Sequence, residues 1–170
     1  MKGTAVRVTT VALALAAALL AGCATTHPWN SVNLPPGTPR DQVLARAGQP
    51  VRIVPLPDGG QRLQYTLQPL GQYAFMVDLD AGGRLVRSRQ VMAAAEFNRI
   101  EIDKWTRADI EREFGPPARI DGVSSWQGPI YTYRWYQDGD MFYWVYFDRQ
   151  GVVRRAHPGI DHVNVPNDRD

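Results

Sequence analysis

Apolar positions along this chain change period twice. From Val8 to Leu20 they run almost without a break. Beyond Trp29 they recur at helical spacing, with Trp29 and Val32 at i,i+3 and Val43 and Ala47 at i,i+4. From Leu63 they alternate with polar residues, through Leu63, Tyr65 and Leu67 and then Tyr73, Phe75, Val77 and Leu79. The same succession returns later. Phe97 and Ile100 lead in, Ile110 and Phe114 form a helical stripe, and Tyr131, Tyr133 and Trp135 precede the strand pattern of residues 141–147. Thr38 and Thr106 are expected as helix N-caps, with Asp41 and Asp109 in the first turns. Gly48 and Gly115 end those helices, and the prolines two residues on prevent their continuation. Asp58-Gly59-Gly60, Gly82-Gly83 and Asp138-Gly139 mark turns, and a last strand runs from Val152.

The two successions align at an offset of 68 residues. Trp29-Asn30 matches Phe97-Asn98, Thr38 matches Thr106, and Tyr65 matches Tyr133. Gly71, Val77, Asp80, Gly83 and Arg87 match Gly139, Val145, Asp148, Gly151 and Arg155. An ordered series at constant offset is the signature of an internal repeat. Units of this size support only a marginal core alone, and no Gly/Ser/Pro-rich linker separates them. The expected fold is therefore α+β: two tandem helix-helix-β-sheet units sharing one largely antiparallel sheet of about six to eight strands, helices on one face. The units span residues 23–92 and 93–160. Residues 161–170 are polar and aperiodic and read as a flexible tail.

The N-terminus changes how composition is read. Lys2 and Arg7 precede the apolar stretch Val8–Leu20, which is too short to span a bilayer as a lasting helix. Leu20-Ala21-Gly22-Cys23 then places the chain's only cysteine at the end of a pattern resembling a bacterial lipobox. Residues 1–22 are thus expected to be a lipoprotein signal peptide, with Cys23 lipidated. Without that segment the formal charge of +2 falls to zero, which removes any electrostatic case for nucleic acid. The remaining charge is uneven. Residues 35–100 hold 8 basic and 5 acidic side chains, against 9 and 12 in residues 101–170. Such halves are suited to pack on each other.

Gly37-Thr38-x-x-x-x-Val43 ending in Gly48-Gln49-Pro50, and Thr106-x-x-x-Ile110 ending in Gly115-Pro116-Pro117, are similar to the SmpA/OmlA (BamE-like) family of small envelope lipoproteins. The tandem arrangement resembles β-lactamase inhibitor protein, which stacks two related units. The likeness covers about residues 25–160. It departs from the first by having two units, and from the second by its lipobox and lack of disulfide-forming cysteines. The first resemblance implies a non-enzymatic assembly or scaffold subunit on the periplasmic side of the outer membrane. Its partners would be envelope proteins such as the β-barrel assembly machinery. The second implies the alternative, an inhibitor or regulator of a soluble periplasmic enzyme.

No motif for catalysis or a cofactor is present. Ser124-Ser125 lacks a Gly-x-Ser-x-Gly context, and there is no phosphate-binding glycine loop. His157 and His162 with Asp161 form an incomplete metal set, and read as surface residues flanking a Pro158-Gly159 turn. Asp78-Leu79-Asp80 reads as part of a hairpin turn rather than a calcium loop. Trp29 could anchor at a membrane interface, but its match to Phe97 points to the core. One feature stands out. Residues 126–147 hold ten of the chain's 17 aromatics. Alternation puts Phe142, Trp144 and Tyr146 opposite the core side, joined by Tyr136 from the neighbouring strand. These four are the candidate partner-binding residues. Alternation alone leaves open whether that face is a second core layer, covered by a loop or the tail, or a binding surface.

Overall fold

The computed structural model describes residues 26–161. The expected signal segment, Cys23 and residues 162–170 lie outside the described residues. Within them the fold is α+β. A 3₁₀ turn, Pro28–Ser31, precedes α1 (Arg40–Ala47) and the strands β1 (Arg52–Pro55), β2 (Gln61–Thr66), β3 (Ala74–Leu79) and β4 (Leu85–Gln90). Then come α2 (Ala94–Phe97), α3 (Arg107–Phe114) and β5 (Arg119–Asp121), β6 (Ile130–Tyr136), β7 (Asp140–Phe147) and β8 (Val153–Ile160).

The helix boundaries follow from local chemistry, with one correction. Thr106 caps α3 as expected: its hydroxyl accepts from the Asp109 amide at 3.3 Å, and the Asp109 carboxylate accepts from the Thr106 amide at 2.8 Å. Thr38 does not cap α1. Its hydroxyl is spent on the Pro35 carbonyl at 2.6 Å, and the extended Pro39 stands at the N-cap with no side-chain bond. Gly48 and Gly115 end the helices at φ 85° and 77°, a region that side chains disfavour. In both places a strand tyrosine closes the turn. Tyr65 Oη donates to the Gly48 carbonyl at 3.1 Å, and Tyr133 Oη to the Gly115 carbonyl at 2.9 Å.

The strands form two antiparallel sheets, ordered β1-β2-β3-β4 and β5-β6-β7-β8, not the single shared sheet expected. The reason lies between β4 and β5. That connection carries α2 and α3 beneath sheet one, so the two edge strands do not pair. Nor do the helices share one face. Val43 and Ala47 of α1 pack with Leu63, Tyr65, Phe75 and Val77 on one side of sheet one. On its other side Ala74 and Met76 pack with Phe97, Ile110 and Phe114. Those same helix residues also pack with Tyr133, Trp135, Val145 and Phe147 of sheet two. The layers therefore run helix, sheet, helix, sheet. Phe97 lies at the centre of the second core, its ring stacked on Tyr143 at 4.0 Å. Trp29, at the matching position in the first half, is 42% exposed and meets Tyr73 and Phe75 edge-on.

Polar groups also join the halves. Arg62 is buried and binds Asp78 through Nε at 2.6 Å and Nη2 at 2.9 Å. Its Nη1 reaches Glu113 of α3 at 2.9 Å. Arg89 and Arg99 both pair with Glu96 and extend to Glu113. Gln64 donates to the Glu111 and Arg112 carbonyls in the last turn of the helix, and Arg62 Nη1 also donates to the Arg112 carbonyl at 3.0 Å. Asp78 thus belongs to a buried ion cluster and not to the turn that the sequence suggested. Burial opposes ionisation of Asp78 and Glu113, but bonds and charges from Arg62, with Arg87 at Asp78 and Arg89 and Arg99 at Glu113, hold both carboxyls below their ordinary range.

Candidate functional site

Strand β7 faces two ways. Tyr143, Val145 and Phe147 are buried against the helices, and Met141 is partly so. Asp140, Phe142, Trp144 and Tyr146 point to the outer face, where all three rings remain partly accessible. Their cross-strand partners are Arg134, Thr132 and Ile130 on β6 and Gly159, His157 and Arg155 on β8.

The outer rings make a continuous row. Phe142 and Trp144 lie 5.8 Å apart between centroids, and Trp144 lies 5.3 Å from His157. His157 stacks on Tyr146 at 5.4 Å, and Tyr146 meets Trp126 edge-on at 5.3 Å. Trp126 is fixed by its indole N–H, which donates to the Phe147 carbonyl at 2.7 Å. Guanidinium groups sit over two of the rings, Arg119 above Phe142 at 5.7 Å and Arg155 above Tyr146 at 5.2 Å. Gly159 makes room for this arrangement. A β-carbon there would come within 2.2 Å of the Trp144 ring, so the indole lies directly over the backbone of β8.

Three of the four sequence-predicted residues are thus brought together. Tyr136 shares the face, opposite Asp140 at the hairpin end, and is 55% exposed, but it makes no ring contact with the row. Trp126, His157, Arg119 and Arg155 are members that the sequence reading missed. His157 stands in a strand and not beside a turn, since Pro158 and Gly159 lie within β8; it is partly exposed on the outer face, and its Nε2 atom is buried with no hydrogen-bond partner. Asp161, assigned to the tail, is buried and paired with Arg134.

The matching face of sheet one differs. There Ala74, Met76 and Asp78 of β3 are buried under α3. No described helix crosses the β7 face. Among the described residues no group of three or more His, Cys, Asp or Glu side chains is placed to hold a metal ion. No described helix is long and apolar enough to cross a membrane.

No protein-family model matches the chain, and no curated protein does. Two solved structures are similar to it at low level. One is a DUF4309 family protein (YjgB) of Bacillus subtilis, 16% identical with a TM-score of 0.31, covering 72% of this chain and 78% of that one. The other is an extracellular protein containing a SCP domain from Bacillus anthracis, 12% identical with a TM-score of 0.30, covering 83% of this chain and 47% of that one. At these scores neither likeness carries an argument about function.

Proposed function

We propose that this chain is a non-enzymatic envelope protein, held to the outer membrane by lipid on Cys23 and facing the periplasm. In this reading it is an assembly or scaffold subunit of two SmpA/OmlA-like units that captures a protein partner on the outer face of sheet two. The observation that carries the partner role is the contrast between two matching sheet faces. The first is closed by a helix of the chain itself, while the second presents a row of aromatics with no described helix upon it. Aromatic side chains dominate interface hot spots, and a patch of this kind on a soluble domain commonly marks an interaction site.

The two-unit reading draws support from details that recur at an offset of 67 or 68 residues. The tyrosine-to-glycine bonds that close α1 and α3 are one pair. Another is the turn in which Asp80 Oδ1 accepts from the Arg84 amide at 2.8 Å and Asp148 Oδ1 from the Val152 amide at 2.9 Å. In both, the turn glycine, Gly83 or Gly151, accepts from the first residue of the helix at 2.9 Å. The anchor reading rests on sequence: the first described element starts five residues after Cys23, so a lipid there would keep the domain close to the bilayer.

Photo-crosslinking in intact cells from Phe142 and Tyr146, with Ile53 on β1 as control, tests the proposal. The expected result is capture of outer-membrane barrel-assembly components from the aromatic face alone, abolished when Cys23→Ser releases the protein from the membrane. Capture of one soluble hydrolase would instead make the chain a regulator of a periplasmic enzyme. Equal labelling from all three positions would contradict both readings.

A further inference from the structure

Beside the aromatic row the same face holds a cavity of about 230 Å³. It exists because β5 is short. Strand β6 continues past β5, and at Arg134 the first half of the chain substitutes for the missing strand neighbour. Gln68 donates through Nε2 to the Arg134 carbonyl at 2.6 Å and accepts from the Arg134 amide at 3.1 Å. Pro69 then forms one wall, Ala118 and Arg119 face it, and Thr132, Arg134 and Phe142 complete the lining with Asp161. The cavity is thus assembled from three distant parts of the chain.

Its donors and acceptors are unequally spent. The carboxylates are used or hidden. Asp161 is 1% exposed and meets Arg134 at 3.2 Å, while Asp121, behind the wall, already accepts from Arg119 and Thr132. The guanidiniums retain capacity. Arg119 is 57% exposed and commits only Nε to Asp121. Arg134 uses Nη2 on Asp161 and Nη1 in a long bond, 3.4 Å to the Leu70 carbonyl, while its Nε is buried with no partner. A buried donor left unmade is costly and calls for an occupant. Guanidinium forks suit planar carboxylates, and Pro69, Ala118 and Phe142 add an apolar wall for whatever carries the group. The volume lies below that of sites for drug-sized ligands, roughly 300–1,000 Å³, so one small group fits.

We propose that this cavity is a carboxylate-binding site, taking a single carboxylate attached to a small apolar group, with Arg119 and Arg134 as the binding residues. The site adjoins the aromatic row and shares Arg119 and Phe142 with it, but the proposal differs from partner capture in its ligand, a small carboxylate, and in its use of Arg134. The group could come from a peptide C-terminus or from a free small acid, which present the same chemistry.

Calorimetric titration of the full chain with N-acetyl-leucine and with N-acetyl-leucinamide tests it. The acid should bind at least tenfold more tightly than the amide. Arg119→Gln should remove that preference, and Arg119→Lys should restore it only in part, because an ammonium lacks the planar fork. Among acids, tighter binding of an N-acetylated tetrapeptide than of propanoate identifies a chain terminus, and equal binding identifies a free acid; either supports the site. Equal binding of acid and amide, no acid binding at about 1 mM, or an unchanged preference in Arg119→Gln would overturn it.

Discussion

At the scale of single residues, Arg62 is the side chain on which the junction of the halves turns. It neutralises one carboxylate from its own sheet and one from α3, both largely buried. Removing one partner of such a pair leaves a buried charge uncompensated, at about 3–5 kcal/mol. Arg62→Met should therefore lower unfolding stability by that order in a urea titration, whereas Arg87→Met, at the exposed end of the cluster, should cost under about 1 kcal/mol. The pH dependence has a definite sign. Asp78 and Glu113 have depressed folded-state pKa values, so the stability they contribute is present above the ordinary carboxylate range near about 4 and is lost as the pH falls below it. Arg62→Met should flatten that acid limb. The sequence hinted at this junction through its uneven charge but could not show which arginines are buried. Alternation placed Asp78 opposite the core of its own sheet, and only the helix from the second half turns that position inward.

At the scale of elements, helix ends and long strands were legible and short edges were not. The α3 start at Thr106 follows from Thr-x-x-Asp, and the observed capping box has both of its bonds. Thr106→Ala should cost roughly 1 kcal/mol, read as a fall in melting temperature. Thr38→Ala acts by a different bond, in the turn before α1, and should leave helix content by circular dichroism unchanged. Strands β1 and β5 escaped prediction because they are three or four residues long and lie mostly exposed, so neither shows alternation. Strand β8 was cut short for a different reason. Pro158 and Gly159 are turn residues by statistics, yet this is an edge strand, where proline is tolerated. Gly159 is there because the Trp144 indole occupies the space of its side chain. That misreading concealed His157, the ring that joins Trp144 to Tyr146 in the row.

For the molecule as a whole, α3 serves two sheets at once. Ala74, Met76, Val91 and Met92 belong to the first half by sequence but pack in the core of the second. A fragment of residues 24–92 would expose them to water, together with the Arg62 cluster. It should lack a cooperative thermal transition, and a sharp melt of that fragment would show that the first half stands alone. The α+β class could be read from the change between helical and alternating periods. The stacking order could not, because periodicity tells which side of a strand is apolar and not which helix arrives to cover it. The same uncertainty applied to Phe142, Trp144 and Tyr146, whose counterparts in β3 are covered.

The central claim, that these three rings form a partner surface, is tested by one comparison. Phe142, Trp144 and Tyr146 are changed together to serine, and the variant's melting transition is recorded beside its capture of the cross-linked partner. Truncating three core aromatics would remove about 3–5 kcal/mol each, more than most domains can lose and remain folded. The account predicts a cooperative transition lowered by about 10 °C or less, with partner capture abolished. Loss of the transition, or capture that survives in a folded variant, would contradict it.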